Sequence, residues 1–257
     1  MTHRYFLLLV VGLAALGTGG RLRADEPPII SRARSYLGTE AALGAVRSIH
    51  FVGKITADNL QDPLHPTTAR LEMILQKPYQ LRLQATYAKV TEIDGLNGYD
   101  GWHRHEDNAN PALWRQVVLG ANDIKQMRTN IWQNLAFYRA FDRDGPVIED
   151  RGDATLDGVP TRKVAFIHDS QTVFYRYFER ATGRLVVTQT GSGSEIKEEG
   201  ELVAAGVRFP KKLITVFKGR AGSKDQKVVL EFDTVTVNET FADSLFAVPE
   251  PLPLPKR

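Results

Sequence analysis

The chain has 257 residues, of which 42% are hydrophobic and 25% charged, and it contains no cysteine. That apolar fraction supports a packed core without crosslinks, and the missing thiols exclude disulfides, thiolate metal sites and cysteine nucleophiles together. The formal net charge of +3 comes from the opening segment alone, so no clustered basic surface for nucleic acid or anionic membrane is implied.

That segment, MTHRYFLLLVVGLAALGTGGRLRA, begins with His3 and Arg4, continues as an uncharged run from Phe6 to Gly20 and ends in Leu22-Arg23-Ala24. A basic start, a short apolar run and a small residue at the end make the pattern of a secretory signal peptide. The run is shorter than the roughly 20 residues a membrane helix needs. We read residues 1–24 as a signal peptide, 25–248 as one domain, and the proline-rich 249–257 as an extended tail. Cleavage after Ala24 removes Arg4, Arg21 and Arg23 with no acidic residue. No cysteine follows to carry a lipid anchor, so a soluble periplasmic product, not lipid-anchored, is expected.

After Pro27-Pro28, the residues Ile29, Ala33, Tyr36 and Leu37, then Ala41, Ala42 and Leu43, recur at helical spacing, which predicts an N-terminal helix broken near Gly38. The period then falls to two. Ile49, Phe51 and Ile55 alternate with polar residues, as do Leu71, Met73 and Leu75, and then Leu81 and Leu83 after Lys77-Pro78. A further strand over Val90 to Ile93 precedes the turn signals Asp94-Gly95 and Asn97-Gly98, and Trp102 flanks the next strand. Between Asn122 and Phe141 the spacing returns to 3.6, with Ile124, Met127, Ile131, Leu135 and Tyr138 on one stripe and Asn122 as N-cap. Strands are then predicted over Thr161–His168, Thr172–Glu179, Arg184–Thr190, Ser194–Val203, Lys212–Phe217 and Lys227–Val237. Asp157-Gly158, Thr182-Gly183 and Ala205-Gly206 supply the hairpin turns.

No motif for catalysis stands out. There is no G-x-S-x-G, Walker loop, G-x-G-x-x-G or H-E-x-x-H, and Gly191-Ser192-Gly193-Ser194 reads as a turn because no helix follows it. His103 and His105, two apart on a strand, could share a metal, but spacing supplies no third ligand. His50 and His168 lie among polar neighbours with no triad partner, and Arg151-Gly152-Asp153 reads as a chance tripeptide in a loop.

Four local patterns resemble the family of the periplasmic lipoprotein carrier LolA and its relatives LolB and RseB. They are Lys77-Pro78-Tyr79-Gln80-Leu81-Arg82, Tyr99-Asp100-Gly101-Trp102, Arg180-Ala181-Thr182-Gly183-Arg184-Leu185, and Asp243-Ser244-Leu245-Phe246-Ala247-Val248-Pro249. The resemblance implies an α+β fold, an unclosed antiparallel β half-barrel covered by an N-terminal helix and a central lid helix. It also implies a role in carrying or sensing lipoprotein acyl chains. No counterpart of the carrier's strand arginine is evident.

The expectation is a non-enzymatic, monomeric carrier or binder of lipid or acylated lipoprotein, without cofactor, metal or catalytic residue. Its cavity would lie between sheet and helix, lined by Phe51, Ile55, Leu71, Met73, Leu75, Leu81, Leu83, Ile124, Met127, Ile131 and Leu135. Two alternatives remain: an envelope sensor binding a protein partner through a sheet edge or the tail, and a secreted metal-dependent hydrolase around His103 and His105.

Overall fold

The structure, a computed structural model, describes residues 26–59, 62, 64–110, 112–139, 145–219 and 223–250. The proposed signal peptide and most of the tail lie outside them. Two short helices, α1 (Pro28–Leu37) and α2 (Glu40–Ala45), open the described chain. Gly38 separates them, and the Thr39 hydroxyl caps α2 by accepting from the Ala42 amide at 3.1 Å. Six strands follow: β1 (Ser48–Ala57), β2 (Thr67–Gln76), β3 (Gln80–Thr86), β4 (Val90–Asn97), β5 (Asp100–Asp107) and β6 (Trp114–Val118). The long helix α3 (Ala121–Leu135) leads to seven more: β7 (Val147–Leu156), β8 (Val159–Ile167), β9 (Val173–Glu179), β10 (Leu185–Thr190), β11 (Glu195–Ala204), β12 (Val207–Phe217) and β13 (Gln226–Val237).

All of these strands pair antiparallel in one sheet ordered β6-β5-β4-β3-β2-β1-β13-β12-β11-β10-β9-β8-β7. The order is two meanders joined where β1 meets β13, and its ends, β6 and β7, are the strands that α3 separates in the chain. The sheet is open between those ends.

The sheet curls around that helix. Met127, Ile131 and Leu135 pack into the cluster formed by β1, β2 and β3, whereas Trp132 packs with Val164, Phe166 and Phe178 of β8 and β9. Strands β2 and β8 stand seven places apart, about 34 Å in a flat sheet at ~4.8 Å per strand. A helix only ~10 Å across reaches both because the sheet wraps it.

Several details differ from the sequence reading. Asp94-Gly95 is no turn: β4 runs on to Asn97, and Gly95 opposes Trp102 across the ladder. A Cβ on Gly95 would sit 2.1 Å from the Trp102 indole, which lies over the bare backbone and donates Nε1–H to the Phe246 carbonyl at 2.9 Å. Helix α3 ends at Leu135, six residues short of Phe141, which is outside the described residues. Phe137 and Tyr138 take positive φ angles of 48° and 69°, and Arg34 of α1 donates to the carbonyls of Ala136 and Phe137 at 3.3 and 2.5 Å. The N-cap position is Gly120, not Asn122, and no side chain caps this end. In α1 the buried stripe is Ile29, Ile30, Ala33 and Arg34, while Tyr36 turns outward to bond Glu201. Strands β6 and β7 lacked a clear alternation. Arg151-Gly152-Asp153 lies not in a loop but at a register shift inside β7, where Asp150 and Asp153 hold Arg162 of β8 at 2.6 and 2.9 Å.

Gly183, in the predicted β9–β10 turn, has φ +81° and faces the backbone of α1, where an added Cβ would lie 2.6 Å from the Ala33 nitrogen. Gly183→Ala combines a left-handed strain with a backbone clash, and is expected to destabilise by about 2–3 kcal/mol. A chemical denaturation midpoint unchanged from wild type would contradict this packing.

Candidate functional site

A cavity of about 350 Å³ opens between α3 and the half of the sheet formed by β1 and β9 to β12. Its sheet side is largely apolar, with Phe51 from β1, Phe174 from β9, Ile196 from β11 and Phe209, Leu213 and Phe217 from β12. Helix α3 turns the opposite stripe of its amphipathic surface to the space, presenting Gln126, Thr129, Asn130, Gln133 and Asn134. Asn130 is both exposed and part of the lining, which places the mouth along the helix.

Of the residues expected to line a cavity, Phe51 alone does so. Ile55, Leu71, Met73, Leu75, Leu81, Leu83, Met127, Ile131 and Leu135 are buried in one filled cluster, with Ile124 packed at its border. The apolar stripe of α3 and the apolar face of β1 to β3 satisfy each other, so the empty space falls on the helix's other side. Arg128 helps fix this seating: its guanidinium stacks on Tyr79 at 3.5 Å and Tyr99 at 4.1 Å and donates to the Gly98 carbonyl at 3.0 Å. Two of the recognised sequence patterns are thus the clamps that orient α3.

Three charged residues line the cavity, Arg176, Glu198 and Arg208, and none was evident from the sequence. Arg176 alternates inward with Phe174 and Phe178 on β9, is 6% exposed, and has no hydrogen-bond partner for Nε or Nη1. Its Nη2 donates to the Gln133 carbonyl oxygen, and the same amide's nitrogen donates to Nε2 of His168 at 2.7 Å. Burial, helped by the charge of Arg176, lowers the His168 pKa to about 4, which keeps that ring neutral and able to accept. Glu198 of β11 follows Ile196 on the inward register and faces the same space. Burial raises its carboxyl pKa to about 7, against a smaller pull downward from Arg176. The usable signal was a charge in an inward slot between bulky apolar residues, Phe174-x-Arg176-x-Phe178 and Ile196-x-Glu198.

The sign of the Glu198 effect on stability follows from the direction of its shift. The native state keeps a proton that the unfolded chain releases near pH 4.5, so this stabilisation is full below about 4.5 and is lost as pH rises to about 7. The stability difference between pH 5 and pH 8 should shrink by about 2 kcal/mol in Glu198→Gln, less than the full shift because the cavity admits solvent. Urea titrations of both proteins at the two pH values measure it, and an unchanged difference would count against a desolvated Glu198.

Among the described residues His50, His103 and His105 pair with carboxylates. His103 Nδ1 bonds Asp94 at 2.8 Å, which raises its pKa, His105 faces Glu92 at 3.7 Å, and His50 bridges Glu72 and Glu239 at 3.0 and 2.7 Å. Among the described residues no group of three or more His, Asp or Glu could hold an ion. No helix among them is long and apolar enough to cross a membrane.

No protein-family model and no curated protein matches the sequence. Solved structures do. A LolA superfamily protein from Nitrosomonas europaea is similar at a TM-score of 0.52 and 13% identity, over 86% of this chain and 96% of that one. The chain has the LolA-like fold. A DUF1329 family protein from Desulfovibrio piger gives the same TM-score of 0.52 at 11% identity, over 85% and 95% of the two chains. So does a domain from Vibrio parahaemolyticus named for outer membrane lipoprotein sorting, at 0.52 and 8%, over 84% and 95%. The LolA-like sheet here is open at β6 and β7, and the recognised Asp243–Pro249 pattern is the segment whose Phe246 carbonyl receives Trp102.

Proposed function

We propose that this protein is a periplasmic, non-enzymatic carrier or binder of acyl chains, exported by its N-terminal segment and working as a monomer on lipid or acylated lipoprotein. The observation that carries the reading is the cavity beside α3, about 350 Å³ in volume with an aromatic and aliphatic sheet side, within the size range of small-molecule sites. Burying an acyl chain there gains about 0.8 kcal/mol per methylene. The LolA-like fold and the name of the Vibrio parahaemolyticus domain support the same setting. Helix α3, which closes one side of the space, acts as the lid.

Thr188, a small buried residue of the lining, offers the test. Native mass spectrometry of protein recovered from its own cell envelope should show a bound amphiphile, and Thr188→Phe, which fills the space, should lose it. A wild-type protein with no bound amphiphile, and none taken up from added dodecanol, would overturn the reading.

A second reading, a protein partner at a sheet edge, draws support from β6, where Val117 and Val118 are 51% and 72% exposed on a terminal strand. Val118→Lys would abolish such capture from an envelope extract and leave amphiphile binding intact.

A further inference from the structure

The cavity contains a charge that an acyl chain alone does not explain. Two nitrogens of Arg176, Nε and Nη1, have no partner, and its guanidinium lies 4.7 and 4.9 Å from the rings of Phe166 and Tyr138. Removing an unpaired guanidinium from water costs several kcal/mol, and stacking on rings returns only about 1–2 kcal/mol of it. A group that is buried, bonded through one nitrogen only and turned to an open space is poised for a ligand that completes it.

The charged and titratable groups around it narrow the ligand's character. Tyr138, past the end of α3, is held protonated by burial. His168, at the end of β8, is neutral. Arg208 of β12 is engaged by Glu201 at 3.1 Å, and Lys125 of α3 by Asp169 at 2.8 Å. Glu198 of β11 feels the charge of Arg176 only weakly against its own burial and holds its proton below about pH 7. In mildly acidic solution the space therefore carries one net positive charge, fixed on an aromatic wall.

We infer that the ligand is a single-chain amphiphile with an oxyanionic head, which enters the cavity head inward and is received by the free N–H groups of Arg176. This rests on the acyl-binding reading above and gives it a substrate class. The volume of about 350 Å³ is at the small end of the range for ligand sites, which favours a single chain. A charge-assisted bond is roughly twice as strong as its neutral counterpart, so the head should contribute alongside the chain.

The test compares dodecanoate, dodecyl phosphate and dodecanol at pH 6 by isothermal calorimetry, on wild type, Arg176→Met and Glu198→Gln. Wild type should bind at least one of the anions tenfold or more tighter than the alcohol, and Arg176→Met should bind all three alike. Tight dodecanoate alone assigns a fatty-acid head, and tight dodecyl phosphate alone assigns a phosphate head. At pH 8 Glu198→Gln should bind the anion more tightly than wild type, because the wild-type carboxylate is then charged. Equal binding of acid, phosphate and alcohol by wild type would overturn the head-group inference and leave the acyl cavity standing. Binding of none of them would overturn the cavity reading itself.

Discussion

Replacing Arg34 by methionine is expected to destabilise the protein by about 1–3 kcal/mol, the range for leaving a buried carbonyl without its donor. Arg34 is 6% exposed and pairs with Glu40 at 2.6 Å while donating to the carbonyls of Ala136 and Phe137. It thereby ties α1 to α2 and ends α3. Methionine fills the volume of the stem but leaves the Phe137 carbonyl without its donor, at about 1–3 kcal/mol, while the Ala136 carbonyl keeps the Arg139 amide at 3.0 Å. Glu40 is more than half exposed and simply returns to water. Guanidinium unfolding followed by tryptophan fluorescence reads the loss through Trp132, which packs beside the same turn. A loss below 1 kcal/mol would show that Arg34 does not hold the end of the helix.

Arg176→Met should do the opposite and raise stability by about 1–4 kcal/mol, as exchange of buried charge for apolar volume does elsewhere. The guanidinium spends two donors on nothing within the protein, whereas a methionine side chain would pack on Phe166 and Tyr138 at no desolvation cost. Loss of Arg176 also removes the influence that lowers the Glu198 pKa, so that carboxyl should titrate higher in the variant. A rise in the thermal midpoint in ligand-free protein is the expected result. A fall would mean that Arg176 is structural, and its partnerless donors would then need an internal explanation. Stability given up at one inward position is what a binding site costs the fold that carries it.

Much of the architecture was legible because it rests on local periodicity. The alternation at Ile49–Ile55, Leu71–Leu75 and Leu81–Leu83 placed β1, β2 and β3 and their buried face, and the hairpin glycines at 158, 183 and 206 all take positive φ. The 3.6 spacing found α3, but not its end. That end is set by Arg34, about a hundred residues away in the chain, which no local pattern reports. The edge strands β6 and β7 were missed for a related reason: each pairs on one side only, so exposure on the other erases the alternation.

The cavity was misplaced by the same logic that found the core. Apolar stripes identify surfaces that want burial, and the stripes of α3 and of β1 to β3 found each other and left no room. Space remains where surfaces mismatch, and that depends on how far the sheet curls and which face the helix turns to it.

The sequence alone thus determined the elements, their apolar faces, the turns and the LolA-like resemblance, because propensity and period act between near neighbours. Only the tertiary structure decided that the sheet curls around α3, that its polar stripe faces open space, and that Arg176 and Glu198 share it. Those facts depend on strands β9 and β11 and a helix far from them in the chain, brought together by the curl of the sheet.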